Sequence, residues 1–172
     1  LPSTTKHVAW DESIRVPFLL RYPNKLGTKG RRMETVLGSP DIMPTLLSLA
    51  DLKTPDGVQG TDYSNVAAGG RAPKDSAALL QFPAAYGALR NAGWSEYRGL
   101  RTPRYTLVRT LKGPELLFDN HADPYQMNNL VPRSESQKLL TSLDQSLNAR
   151  LKAVTDDFLP GPEYIRRFGY EH

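Results

Sequence analysis

Residues 94–118, WSEYRGLRTPRYTLVRTLKGPELLF, predict three short strands joined by tight connections. Two runs rich in aromatic and β-branched residues, 94–101 and 104–111, are separated only by a Thr-Pro pair. A Lys-Gly-Pro turn then leads into the apolar run 115–118. Because short strands with such short connections are typical of an antiparallel meander, this stretch predicts the sheet around which the C-terminal half folds.

A fourth strand and a long helix are predicted around this meander. Residues 76–82 continue the strand pattern upstream of it. Downstream, Ser134 and Gln137 match a capping box, which marks the start of a helix. The tail from Pro160 onward is predicted to be an extended arm. Leucines at a spacing of four predict that one face of the helix packs on the sheet; these are Leu139, Leu143, Leu147 and Leu151.

The first part of the chain has a different character. The apolar run at residues 16–20 predicts a strand covered on both faces, and residues 35–37 predict a second, shorter strand. A Ser-Pro pair opens a predicted helix over residues 39–50, since Ser is a favoured cap and Pro a favoured first helical residue. A strand buried on both faces needs neighbours, and the first fifteen residues do not supply them.

The predicted fold class is therefore α/β, in two parts. Residues 1–72 are predicted to be the end of a large α/β domain. A stretch rich in Gly and Pro, residues 51–75, leads to the second part. Residues 73–172 are predicted to form a small α+β subdomain, an antiparallel sheet of about four strands with a packed C-terminal helix.

Composition excludes several classes of protein. The 172 residues contain no Cys, which excludes disulfides, thiolate metal sites and cysteine nucleophiles. No apolar run is long enough to predict a membrane span. The net charge of +4 permits polyanion binding, but the basic residues are scattered. Their one tight cluster, residues 29–32, lies beside Gly in a polar loop and favours a solvated turn over a nucleic-acid contact.

Three short patterns suggest chemistry, and each has a plainer interpretation. Residues 3–6 match Ser-x-x-Lys, but the Ser-Asp-Asn and Lys-Thr-Gly motifs that accompany it in penicillin-binding enzymes are missing. Residues 119–124 alternate Asp, His and Asp as a cation site would, although Asp and Asn also close turns. Residues 94–101 interleave aromatics with Arg as a nucleic-acid surface would, although a half-exposed strand has the same pattern. We favour the turn and the strand.

Five blocks of the sequence point together to one family. Lys6 stands ten residues before the Val-Pro pair at Val16. Residues 41–47 match an Asp-x-x-Pro-Thr-Leu-Leu helix, residues 55–60 a Pro-x-x-x-x-Gly loop, and residues 98–102 an Arg-x-x-Arg-Thr hairpin. Residues 117–130 contain Leu-Phe-Asp, Asp-Pro and Asn-Leu, similar to a Leu-Tyr-Asp, Asp-Pro, Asn-Leu signature. In this order, and covering nearly the whole chain, the blocks resemble the formylglycine-dependent, arylsulfatase-like sulfatases of the alkaline phosphatase-like superfamily, in which a sulfate-contacting lysine, like Lys6, precedes a central strand.

The resemblance implies a C-terminal part of an enzyme that hydrolyses sulfate esters. Lys6 would hold a sulfate oxygen as a point charge, and His7 would line the substrate pocket. In the complete enzyme the family uses a formylglycine hydrate, made from Cys or Ser in Cys/Ser-x-Pro/Ala-x-Arg, and a divalent cation, usually calcium. Neither that motif nor the metal-ligand motifs occur here, so we expect no cofactor or metal on this chain and no activity from it alone.

The resemblance also implies a partner and a location. The chain lacks an initial Met, and we expect it to have been cut from a longer protein whose N-terminal portion is its partner. An extracytoplasmic location, periplasmic or secreted, is expected from the family.

Two other functions remain open from the sequence. The five blocks do not separate a sulfatase from a phosphonate or phosphate ester hydrolase of the same superfamily. A stand-alone module that binds polyanions or protein without catalysis is the other alternative, for which the predicted strand at residues 16–20 would be the partner interface.

Overall fold

The computed structural model describes residues 7–85, 93 and 95–170. Contacts divide the chain into two units. The first combines residues 1–15 with 79–172, and the second is residues 16–78. The assignment of residues 1–72 to the end of a larger α/β domain stays a prediction.

The predicted four-stranded sheet is confirmed. Its strands are β1 (Ala78–Phe82), β2 (Tyr97–Arg101), β3 (Tyr105–Thr110) and β4 (Gly113–Asp119), and their spatial order follows the chain. β2 pairs antiparallel with β3, and β3 with β4. Since each pair is joined by a connection of two or three residues, the meander follows from the turn chemistry of residues 102–104 and 111–112.

Gly99 lets the central strands approach each other. It pairs with Val108 across β2 and β3. A Cβ atom at Gly99 would lie 2.7 Å from the carbonyl oxygen of Leu107 and 3.3 Å from the side chain of Leu80. Only a residue without a side chain fits this position.

The predicted amphipathic helix is also confirmed. It is α5 (Gln137–Ala153), it contacts β2 and β3, and its buried side chains are Leu140, Leu143, Leu147 and Leu151. The capping box is not formed, because a 3₁₀ turn, Ser134–Ser136, precedes the helix. Gln137 instead donates through Nε2 to the carbonyl oxygens of Val131 and Arg133, at 3.2 and 3.3 Å.

The prediction of an extended C-terminal arm is wrong. Residues Gly161–Arg167 form a helix, α6, with Pro162 in its first turn, where a missing N–H costs no hydrogen bond. A short helix at the other end of this unit, α1 (Asp11–Ile14), follows the first described residues.

The second unit, residues 16–78, contains α2 (Pro23–Leu26), α3 (Ser39–Leu49) and α4 (Ser64–Ala67). α3 confirms the predicted helix, although Gly38 and not Ser39 is its N-cap. Asp41 caps it, since its Oδ2 accepts from the Gly38 N–H at 2.7 Å.

The two strands predicted in this unit are wrong. Residues 16–20 and 35–37 have no regular secondary structure, and Val16 and Leu19 are 74% and 91% exposed. A strand buried on both faces is held by hydrogen bonds to neighbouring strands. Residues 16–77, all of which are described, contain no strand that could pair with these runs. No helix within the described ranges is long and apolar enough to cross a bilayer.

Candidate functional site

The structure describes one of the two predicted site residues. Lys6 lies outside the described residues, and His7 is the first of them. The His7 backbone oxygen accepts a hydrogen bond from the Tyr97 hydroxyl at 3.1 Å, and its ring centroid lies 6.1 Å from that of Phe82. His7 itself is exposed, and its role in a substrate pocket stays a prediction.

Residues 7–11, which we call the anchored segment, lie against the sheet of the first unit. Ala9 is 3% exposed and belongs to a small core with Phe82, Tyr97 and Val108. The ring centroid of Trp10 lies 6.2 Å from that of Phe118. No periodic pattern predicted these contacts, because the segment is too short to show one.

Asp11, the last residue of the anchored segment, forms a bidentate ion pair with Arg101. Nε and Nη2 of Arg101 donate to Oδ1 and Oδ2 of Asp11 at 2.8 and 2.9 Å. The two side chains are only 16% and 11% exposed, so solvent screens the pair weakly. A third donor, Nη1 of Arg101, bonds the carbonyl oxygen of Thr102. Arg101, the second Arg of the Arg-x-x-Arg-Thr block, therefore bonds both Asp11 and the backbone of Thr102, the Thr of that block.

Gln126 holds the backbone of the same residue. Its Oε1 accepts from the Asp11 N–H at 2.7 Å. Its Nε2 donates to Oδ1 of Asn120 at 2.7 Å and to Oγ1 of Thr106 at 3.2 Å. Gln126 is 3% exposed and has φ of +53°, a left-handed conformation that is uncommon for Gln. Sequence reasoning missed Gln126, and its one signal was its position just after the Asp-Pro turn.

The Tyr97 hydroxyl is a dependable donor to the anchored segment. Burial raises the pKa of Tyr97 to about 12, because the phenolate is poorly solvated in this core. The hydroxyl therefore keeps its proton across the neutral range and can donate to the His7 carbonyl oxygen.

Arg98, the first Arg of the same block, belongs to a second buried cluster and also donates through Nη1 to the carbonyl oxygens of Phe82 and Tyr97, at 3.3 and 3.0 Å. It is 1% exposed and forms an ion pair through Nε with Asp156, while its Nη2 donates to Asp156 Oδ1 at 3.1 Å. The Tyr164 hydroxyl donates to the same carboxylate at 2.6 Å. Burial acts to raise the pKa of Asp156, but the hydrogen bonds from Arg98 and Tyr164 outweigh it and hold that pKa well below its usual range.

Residues 119–124 form a turn, as favoured over a cation site. Oδ1 of Asp119 accepts from the N–H groups of His121 and Ala122 at 3.1 and 3.3 Å. Oδ2 of Asp123 accepts from the Asn128 N–H at 2.7 Å. The hydrogen bond from Arg104 is the largest cause that holds the pKa of Asp119 below its ordinary value.

The described residues do not fit a divalent metal. Across residues 7–85, 93 and 95–170, no three His, Asp or Glu side chains are grouped so that they could ligate an ion. The cation that the resemblance implies has no ligand set in this part of the chain.

Comparison with known proteins identifies the family. The profile of the family described as N-sulphoglucosamine sulphohydrolase, C-terminal, matches residues 4–153. The chain belongs to the sulfatases. It is similar to an ulvan-active sulfatase from Formosa agariphila, at 42% identity over 166 residues, which are 96% of this chain and 32% of that relative.

Solved structures give the same result for the fold of this sulfatase region. It resembles a structure from Bacteroides thetaiotaomicron described under metabolism of multiple glycosaminoglycans, with a TM-score of 0.61 and 29% identity over 86% of this chain and 32% of that one. It also shares the fold of a phosphonate monoester hydrolase of Agrobacterium radiobacter. The TM-score is 0.51 and the identity 20%, and the match covers 66% of this chain and 24% of that one. The chain spans about a third of the length of the first curated sulfatases it matches.

Proposed function

We propose that this chain is the C-terminal part of a sulfuric ester hydrolase that acts on a sulfated carbohydrate. The family match over residues 4–153 carries the proposal. A sugar substrate is supported by the family description, N-sulphoglucosamine sulphohydrolase, and by the glycosaminoglycan context of the similar structure. An extracytoplasmic location suits such a substrate and is part of the proposal.

Lys6 is proposed to contact the sulfate group, with His7 beside it. Hydrolysis of a sulfate ester places developing negative charge on oxygen atoms, and a fixed ammonium group stabilises that charge more in the transition state than in the ground state. The anchored segment supports the proposal, because the backbone immediately after Lys6 lies in fixed contact with the sheet. By family resemblance, the nucleophile is a formylglycine hydrate and the metal is calcium. The nucleophile and the side chains that ligate the metal belong to the N-terminal portion of the complete enzyme.

The decisive experiment compares the complete enzyme with this chain alone. We expect the complete enzyme to release sulfate from a sulfated oligosaccharide and the isolated chain to release none. Lys6→Ala in the complete enzyme should lower kcat/KM by about a hundredfold, the usual effect of removing one charge-stabilising donor. Activity from the isolated chain, or no effect of Lys6→Ala, would contradict the proposal.

A phosphonate or phosphate ester hydrolase is the second candidate, favoured by the fold shared with the phosphonate monoester hydrolase. Parallel assays with aryl sulfate, aryl phosphate and aryl phosphonate esters separate the two. A kcat/KM for the phosphonate above that for the sulfate would select the second candidate.

The arginines of the sheet are already paired with carboxylates, and this pairing disfavours the binding of a polyanion there. The four arginines of the meander from β2 to the start of β4 are each paired with an Asp; the pairs are Arg98–Asp156, Arg101–Asp11, Arg104–Asp119 and Arg109–Asp144. A guanidinium already neutralised by a carboxylate gains little from a second anion.

A further inference from the structure

We propose that Tyr97, Arg101 and Gln126 are positioning residues that set the place of Lys6 by fixing the anchored segment. The inference rests on the proposed role of Lys6 in holding a sulfate oxygen. It assigns a function to three side chains of the C-terminal sheet and its following turn that do not themselves contact substrate.

The contacts of the anchored segment are spread along its whole length. The Tyr97 hydroxyl holds the carbonyl oxygen of His7, one residue from Lys6. Ala9 is buried against Phe82, Tyr97 and Val108 in the middle. At the far end Asp11 is held twice, through its carboxylate by Arg101 and through its N–H by Gln126. A five-residue segment fixed at both ends and in the middle has little freedom to move relative to the sheet.

Gln126 is unusual in a way that points to positioning. Its left-handed backbone conformation is unfavourable for a residue with a side chain. Its buried amide uses both ends, with Oε1 on the Asp11 N–H and Nε2 on Asn120 and Thr106. The side chain therefore links the anchored segment to two polar groups buried within the sheet unit.

The effect on Lys6 follows from chain geometry. Lys6 is joined to His7 by one planar peptide bond, so a shift of the His7 backbone is passed directly to the lysine. A misplacement of a reacting or binding group by about 1 Å can lower a rate by about a hundredfold. Loss of the Tyr97 hydroxyl should act on catalysis through Lys6, without large loss of stability.

Tyr97→Phe is the cleanest variant, because it removes a single hydroxyl and keeps the ring. Its matched control is Tyr164→Phe, which also keeps the ring and removes a hydroxyl whose partners are Asp156, Arg98 and the Leu159 N–H. A second pair is Arg101→Lys with its control Arg104→Lys. Both arginines form two-pronged pairs with Asp at either side of the same hairpin, and Lys keeps the charge but loses that geometry.

The experiment measures kcat/KM for a sulfate ester and Tm, in the complete enzyme, with each variant made alone and combined with Lys6→Ala. We expect Tyr97→Phe and Arg101→Lys to lower kcat/KM about tenfold or more in the presence of Lys6, and less than twofold in the Lys6→Ala background. The two controls should leave kcat/KM within twofold of the parent enzyme in both backgrounds, whatever their effect on Tm.

Two results overturn the inference in distinguishable ways. If Lys6→Ala leaves kcat/KM unchanged, the proposed role of Lys6 fails and the inference fails with it. If Lys6→Ala lowers kcat/KM but the Tyr97 and Arg101 variants have the same effect with and without Lys6, the role of Lys6 stands and the positioning role is wrong. Loss of kcat/KM that follows Tm equally in variants and controls also assigns these side chains to stability alone.

Discussion

Arg98 and Asp156 form a buried ion pair whose partners are 58 positions apart in the sequence. Their side chains are 1% and 7% exposed, and Asp156 also accepts from Tyr164 and Gln81. The carboxylate thus has several charge-assisted or neutral donors, which offset the cost of burying it.

Replacing Asp156 by Asn should destabilise the fold strongly, by about 3–5 kcal/mol, because it leaves the Arg98 charge buried without a counterion. Urea unfolding at pH 7 measures this loss. Arg167→Gln is the matched control, since the Arg167–Asp157 pair is 3.5 Å long and more than half exposed on both sides, and its loss should cost less than about 1 kcal/mol. Equal losses in the two variants would contradict the special role of the buried pair.

The same pair predicts sensitivity to acid. Because the folded protein holds the pKa of Asp156 below its ordinary value of 3.8, the ionised carboxylate contributes stability above about pH 4, and this contribution is lost as pH falls toward the folded pKa. The difference in unfolding free energy between the parent protein and Asp156→Asn should therefore shrink below pH 4. A difference that stays constant from pH 7 to pH 3 would show that the charge of Asp156 is not involved.

Tyr97 predicts the opposite dependence at high pH. Since burial raises its pKa from 10.0 to about 12, its neutral hydroxyl contributes stability below pH 10, which is lost as pH rises from 10 to 12. Burial also raises the pKa of Tyr164, so tyrosinate absorbance near 295 nm should show both tyrosines titrating later in the folded parent than in urea, and the component near pH 12 belongs to Tyr97. Tyr97→Phe should remove this group and flatten the loss of stability between pH 10 and 12; an unchanged alkaline profile would refute the assignment.

Gly99→Ala should destabilise the sheet by about 1–3 kcal/mol, because the new methyl group would meet the Leu107 carbonyl oxygen at 2.7 Å and the strands would have to move apart. Gly30→Ala is the control, since nothing lies within 4 Å of a Cβ there, and its effect should stay within about 0.5 kcal/mol. Thermal unfolding of both variants makes the comparison. A Gly99→Ala variant as stable as the parent would contradict the close approach of β2 and β3.

Ser13 tests how much stability is lost when a hydroxyl group is buried without a hydrogen-bond partner. Among the described residues its Oγ is the side-chain atom that is buried without a hydrogen-bond partner. Ser13→Ala should be neutral or slightly stabilising, because it removes an unsatisfied hydroxyl. Ser76→Ala should instead cost about 1 kcal/mol, since its Oγ bonds both the N–H and the carbonyl oxygen of Val36. Calorimetric Tm values of the two variants make the comparison. A larger loss of stability for Ser13→Ala than for Ser76→Ala would contradict this interpretation.

Local sequence predicted those elements whose signal lies within one short stretch. The meander of residues 94–118 and the leucine spacing of α5 were visible because turn residues and periodic apolar positions act over a few residues. The C-terminal helix was missed because Pro160, Gly161 and Pro162 resemble a loop, although a helix can begin with Pro in its first turn. The strand predicted at residues 16–20 failed because its apolar pattern indicates burial but not the partners that burial requires.

The sequence by itself determined the sulfatase family, the antiparallel meander and the helix that covers the sheet. Only the tertiary structure decided which side chains hold the segment next to Lys6, since Asp11 meets Arg101 across 90 positions and Gln126 across 115. No local pattern encodes such pairs. Their geometry exists only after the chain has folded, because the packing of the whole sheet offsets the conformational entropy that is lost when distant residues are ordered.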